Sequence, residues 1–101
     1  MYRLKFLPVA KADRIVIRQY LAQFYESTVQ NFFVLLKTRI SQLKQFPFSC
    51  PPYEDANDYR MMIVGDYRLF YKVDEATKTV EIHRIFHHSR DILRQLGENK
   101  P

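Results

Sequence analysis

The stretch Tyr59-Arg60-Met61-Met62-Ile63-Val64-Gly65-Asp66-Tyr67-Arg68-Leu69-Phe70-Tyr71 decides the fold. Two runs rich in aromatic and aliphatic residues flank Gly65-Asp66, which reads as two strands joined by a two-residue turn. Gly at the first central position suits a type II′ turn, because it takes the required positive φ freely. The turn then sets the register. Val64 opposes Tyr67, Met62 opposes Leu69 and Arg60 opposes Tyr71 on one face. Ile63 opposes Arg68, Met61 opposes Phe70 and Tyr59 opposes Lys72 on the other. Both faces are substantially apolar, so at least one packs on helices; the pattern does not say which.

Downstream, Asp74 to Lys78 reads as a second turn and Thr79 to His87 as a third, alternating strand. Upstream, Pro47, Pro51 and Pro52 exclude regular structure between Phe46 and Asp58. Ala10 to Glu26 has no Gly or Pro and reads as a helix. Its buried stripe is Ile17, Tyr20 or Leu21, and Phe24, with Asp13 near the positive end of the dipole. Ser27 breaks that helix and, with Gln30 three residues on, makes a capping box for the next. The second helix runs to about Gln45 with Val29, Phe32 or Phe33, Leu36, Ile40 and Leu43 recurring every three or four residues. Almost no linker separates the two, which predicts an antiparallel hairpin. Tyr2 to Leu7 is a short strand ended by Pro8. Ser89 caps a last helix, Arg90 to Leu96, which Gly97 ends. The order β-α-α-β-β-β-α is that of an α+β fold: an N-terminal strand and a helical hairpin packed on a mostly antiparallel sheet. Residues 1–101 form one domain.

Hydrophobic residues make up 47% of the 101, enough for a core, which excludes a disordered chain. The longest apolar runs, Phe32 to Leu36 and Met61 to Val64, fall far short of the ~20 residues of a membrane span. No apolar signal region opens the chain. The lone Cys50 excludes an internal disulfide and fits a reducing cytosol, so the expected location is cytoplasmic. Net charge is +5, with the excess concentrated in residues 1–46 and a wholly acidic stretch at Glu54, Asp55 and Asp58. Such a domain attracts nucleic acid or an acidic protein.

Several chemistries are excluded. His83 and His87 would share a strand face ~13 Å apart, and His87 and His88 would point to opposite faces, so no metal site forms. Cys50 has no His motif beside it. Gly65 and Gly97 are the only glycines, so no phosphate-cradling loop exists and no cofactor is implied. The aromatic-rich strands admit a platform for single-stranded nucleic acid.

The hairpin, followed by Val80-Glu81-Ile82-His83-Arg84-Ile85-Phe86-His87-His88-Ser89-Arg90-Asp91, resembles the RelE/ParE superfamily of bacterial toxins from type II toxin–antitoxin operons. The likeness covers almost the whole chain and implies a RelE-like fold. It also implies a partner, an antitoxin whose tail wraps the toxin. Lys11, Arg14, Arg18, Lys37 and Lys44 on the helices would suit an acidic tail. One branch of the superfamily cuts messenger RNA in the ribosomal A site, and the other poisons DNA gyrase.

Metal-free RNA cleavage needs a base, cations on the phosphate and an acid. Arg68 matches the family's hairpin arginine. Arg60 stands where the ribonuclease branch often has a lysine, Met62 stands where it has a second, and Arg94 lies near the place of its C-terminal tyrosine. A substitute set would be Glu54 as base, Arg68 on phosphate and His87 or His88 as acid. The segment from Ile85 to Leu93 looks more like the gyrase-poisoning branch, with Arg60, Arg68, Arg90 and Arg94 as target contacts. The resemblance therefore implies a gyrase poison first and a ribosome-dependent ribonuclease second. A non-catalytic RNA-binding domain or an inactive toxin comes third.

Overall fold

In a computed structural model, which describes residues 1–90 together with Ile92, Arg94 and Leu96, the chain runs β1 (Arg3–Phe6), α1 (Pro8–Leu21), α2 (Glu26–Gln45), β2 (Pro52–Tyr53), β3 (Ala56–Val64), β4 (Tyr67–Asp74) and β5 (Thr79–His87). The five strands form one sheet in the order β1-β5-β4-β3-β2, parallel at β1–β5 and antiparallel elsewhere. The β3–β4 register pairs Val64 with Tyr67, Ile63 with Arg68, Met62 with Leu69, Met61 with Phe70 and Arg60 with Tyr71, as the turn predicts. Gly65 has φ +59° while Asp66 stays at negative φ, the signature of a type II′ turn.

The helices cover one sheet face. Ile17 and Leu21 of α1 and Val29, Leu36, Ile40 and Leu43 of α2 pack with Met62, Val64, Leu69, Tyr71, Val80, Ile82 and Ile85. A second, smaller cluster occupies the other face, where Tyr59, Phe70 and Phe86 meet Leu96 and Ile92. Ile92, Arg94 and Leu96 are helical, while Arg90, expected to open the last helix, lies in a bend before it; the other residues of that helix lie outside the described residues.

Local physics moves several boundaries. α1 starts at Pro8, whose fixed φ and missing N–H suit the first helical position, so Pro8 opens the helix as well as ending the strand. α1 stops at Leu21, and residues 22–25 connect to α2. Tyr25 is the α2 N-cap without any side-chain hydrogen bond, so the expected Ser27–Gln30 capping box does not form. Of the expected stripe, Ile17 and Leu21 are buried, whereas Tyr20, the alternative to Leu21, and Phe24 are exposed and rest edge to face at 5.5 Å. Asp13 lies beyond the first turn of α1 and serves another purpose, described below. Pro52–Tyr53 forms an edge strand inside the proline-rich segment, which is where a sheet tolerates proline.

β5 alternates only in part. A bulge opposite Phe70/Tyr71 leaves His83 as the extra residue, so Ile82 and Ile85, three apart, both reach the helix-side core. It also parts His83 from His87. His83 meets Tyr59 of the far-face cluster at 5.3 Å, whereas His87 meets Tyr67 of the helix-side core at 5.5 Å.

Candidate functional site

The type II′ turn organises one end of the sheet. Arg68 folds back over it, its Nη1 donating to the carbonyls of Gly65 at 3.2 Å and Tyr67 at 3.0 Å. The His88 N–H donates to the Asp66 carbonyl at 2.9 Å, tying the end of β5 to the same turn. His87 Nδ1 accepts from the Ser89 N–H at 3.1 Å and lies 2.8 Å from the Ser89 hydroxyl. Arg90 N–H donates to the His87 carbonyl at 3.0 Å. Strand geometry ends at His87, so the rings of His87 and His88 stack at 4.4 Å instead of pointing to opposite faces. One turn therefore gathers Arg68, His87, His88 and Arg90.

Other candidates stand elsewhere. Glu54 is exposed in the β2–β3 connection, at the opposite end of β3 from Gly65. Nine strand residues separate the two, about 25–30 Å at ~3.3 Å per residue. Arg60 lies on the helix side of β3; its Nη1 donates to the Cys50 carbonyl at 2.6 Å and its guanidinium covers the Phe48 ring at 4.8 Å. Met62 is buried in the helix-side core. On β3, the residues sharing Arg68's face are Tyr59, Met61 and Ile63. Arg94 is exposed on the helical segment that follows.

The cations of the two helices converge. Leu4, Phe6, Phe33, Leu36 and Ile40 floor a groove of about 310 Å³ between β1 and α2, edged by Arg14, Lys37 and Lys44. A second depression of about 470 Å³ joins it, lined by Lys11, Arg14, Ile15, Arg18 and Phe33. Arg14 stacks on Phe6 at 4.1 Å and Arg18 on Phe33 at 4.2 Å, so aromatic faces hold both guanidinium groups at the rim.

On the other side of α1 a cleft of about 530 Å³ separates the helix from the end of β5. Its back is closed by an interaction the sequence reading missed. Asp13 Oδ2 accepts from Arg84 Nε at 2.8 Å and from the Ile85 N–H at 2.9 Å, while Oδ1 accepts from Arg84 Nη2 at 3.1 Å. β1 pairs with β5 only from Thr79 to Ile82, so Asp13 satisfies the strand edge just beyond the place where β1 stops. Within the cleft, burial pushes the Tyr67 phenol above its ordinary pKa, with the nearby Arg90 charge opposing. On the far face, burial lowers the His83 pKa; Glu81, 3.4 Å from its Nε2, pulls the other way.

The ParE toxin family, described as the ParE toxin of the type II toxin–antitoxin system parDE, matches residues 4–92. No curated protein shows a significant match. Solved structures share the fold. The chromosomal ParDE system of P. aeruginosa has 20% identity and TM-score 0.71, covering 86% of this chain and 96% of that one. The toxin–antitoxin complex RelBE2 from Mycobacterium tuberculosis has 21% identity and TM-score 0.59, covering 86% and 98%. The intact E. coli RelBE complex has 16% identity and TM-score 0.62, covering 89% and 100%. With the family matched over residues 4–92 of the chain, on a helical hairpin packed against this sheet, the chain is a type II toxin–antitoxin toxin of the RelE/ParE superfamily and belongs to the ParE toxin family.

Proposed function

We propose that this toxin arrests growth by poisoning DNA gyrase, without hydrolytic chemistry of its own. The observation that carries this reading is the setting of Arg68. Its guanidinium rests on two turn carbonyls, its neighbours on the same face of β3 are Met61 and Ile63, and Glu54 lies at the far end of that strand. A general base must come within hydrogen-bond reach of the proton it takes. Among the described residues, Glu54, Arg68 and the histidines are not assembled in that way. What the turn presents is a cationic contact surface made by Arg68, His88 and Arg90.

A cognate antitoxin holds the toxin by laying an acidic, partly apolar tail in the groove between β1 and α2. β1 is an edge strand. Arg3 and Leu7 direct their N–H groups to β5, so the alternate residues Leu4 and Phe6 turn theirs outward. Lys11, Arg14, Arg18, Lys37 and Lys44 supply the complementary charge, and Leu4, Phe6 and Phe33 the apolar floor.

One observation favours the ribonuclease as the second reading. His88 and Arg68 are bonded to adjacent residues of a single turn, Asp66 and Gly65, an arrangement that would suit an acid beside a phosphate-binding cation. Expression without antitoxin separates the two. A gyrase poison leaves chromosome breaks and intact messenger RNA. Ribosome-dependent cleavage leaves intact DNA and messages cut within their reading frames, and that result would overturn the proposal.

A further inference from the structure

The cleft between α1 and the end of β5 lies apart from the antitoxin groove, shares His87 and Arg90 with the Arg68 turn, and opens onto exposed apolar surface. Val16 and Tyr20 form its outer wall, and Phe24 continues the line beyond the helix; they are 53%, 50% and 56% exposed. Residues spaced by four share one helix face. Arg14 and Arg18 stand on a different face of α1, against Phe6 and Phe33. This helix therefore presents two separate surfaces, one basic and one apolar.

We infer that the apolar surface is where the toxin grips its protein target, the cleft receiving an aromatic or long aliphatic side chain from an acidic segment of that target. The inference rests on the gyrase reading for the identity of the partner. Three observations define the occupant's chemistry. The cleft has Val16, Ile17, Tyr20, Tyr67 and Ile85 as apolar walls, with His87 and Ser89 at its β5 end, and its volume of about 530 Å³ accommodates a group of side-chain size or larger. Its back wants no polar partner, because both Asp13 oxygens are already taken by Arg84 and the Ile85 N–H. At the mouth stands the exposed guanidinium of Arg90, close enough to Tyr67 to influence the phenol. An apolar anchor with a carboxylate beside it matches all three.

Tyr and Arg are also the side chains that most often dominate protein interfaces. A nucleic acid backbone would gain nothing from Val16 and Phe24. A second copy of this chain carries the same net charge of +5 and would bring a second Arg90 to the contact.

The test uses purified gyrase and four proteins: wild type, Tyr20→Glu, Arg90→Glu, and Gln42→Glu, which matches the charge change of Tyr20→Glu at an exposed α2 position outside the cleft. Tyr20→Glu and Arg90→Glu should weaken gyrase binding at least tenfold while melting within a few degrees of wild type. Gln42→Glu should bind as wild type does. Wild-type binding by both cleft variants overturns the inference and leaves the gyrase reading standing. Should wild type itself fail to bind gyrase, that reading falls, and growth arrest judges the surface instead. Folded cleft variants that no longer arrest growth support it; variants as toxic as wild type overturn it. A wild-type dimer that Tyr20→Glu dissociates would assign the surface to a second copy, and the inference would be wrong.

Discussion

Arg68 spends its guanidinium on two carbonyls of its own hairpin, contacts worth together at most about 1–3 kcal/mol, less where water competes. Arg68→Ala should therefore keep the fold and lose growth arrest. A folded Arg68→Ala variant that remains toxic would remove this residue from the site. Asp13 is the contrary case. With the Asp13 and Arg84 side chains only 14% and 10% exposed, Asp13→Ala removes two hydrogen bonds from the Arg84 guanidinium and takes the acceptor from the Ile85 N–H, at about 2 kcal/mol or more. At ~4–8 °C per kcal/mol, thermal unfolding should shift down by roughly 10 °C. An Asp13→Leu, Arg84→Met pair should recover only the share owed to the guanidinium, because the Ile85 N–H still lacks its acceptor. His83 offers a pH test. Its folded pKa lies below the ordinary 6.5 because burial disfavours the cation and Lys72 adds to that, with Glu81 and Asp58 opposing. As pH falls below about 6.5, the unfolded chain takes up a proton that the folded chain resists, so stability is full above that pH and declines below it. The melting temperature should fall from pH 7 to pH 5 less steeply in His83→Asn than in wild type; equal slopes would contradict the assignment. The register of Arg68 on the hairpin was legible in the sequence because a two-residue turn fixes it. Asp13 was not, because its partners lie 71 and 72 residues away and only the fold joins them.

At the scale of the element, Gly65 sits at φ +59° and a Cβ there would meet only Leu35 Cδ2, at an ordinary 3.9 Å. The cost of Gly65→Ala is therefore backbone strain alone, about 1–2 kcal/mol. Gly65→Asn should lose less, since Asn tolerates that region better. Denaturant midpoints of the two variants check the order, and equal losses would mean that something other than φ sets the cost. This hairpin could be read in full because a two-residue turn links sequence directly to register. The β5 bulge, the Pro52–Tyr53 strand and the true N-cap of α2 could not. Each depends on what the neighbouring strand or helix offers, and local propensity points weakly the other way. The same holds for Tyr20 and Phe24. Tyr20 lines the cleft and Phe24 follows the end of α1 at Leu21, so both stay exposed and leave the open surface beside the cleft.

Across the whole molecule, the charge excess read from residues 1–46 resolves into a rim around one apolar groove. Arg14, Lys37 and Lys44 stand within it, and Lys11 and Arg18 stand in the depression beside it. Exposed cations contribute at most about 1 kcal/mol each and are screened by salt. An Arg14→Glu, Lys37→Glu variant should thus release its antitoxin at distinctly lower salt than wild type does; release at the same salt would move the antitoxin elsewhere. The groups proposed to meet the target lie apart from this groove, at the Gly65-Asp66 end of the sheet and along the outer face of α1. That separation lets the account of the target be tested without the antitoxin. The most direct measurement is gyrase supercoiling in the presence of purified, antitoxin-free toxin, scored for trapped cleaved DNA. The account predicts inhibition at near-stoichiometric toxin with cleaved DNA accumulating. Undisturbed supercoiling, from protein that still arrests growth in cells, would contradict it.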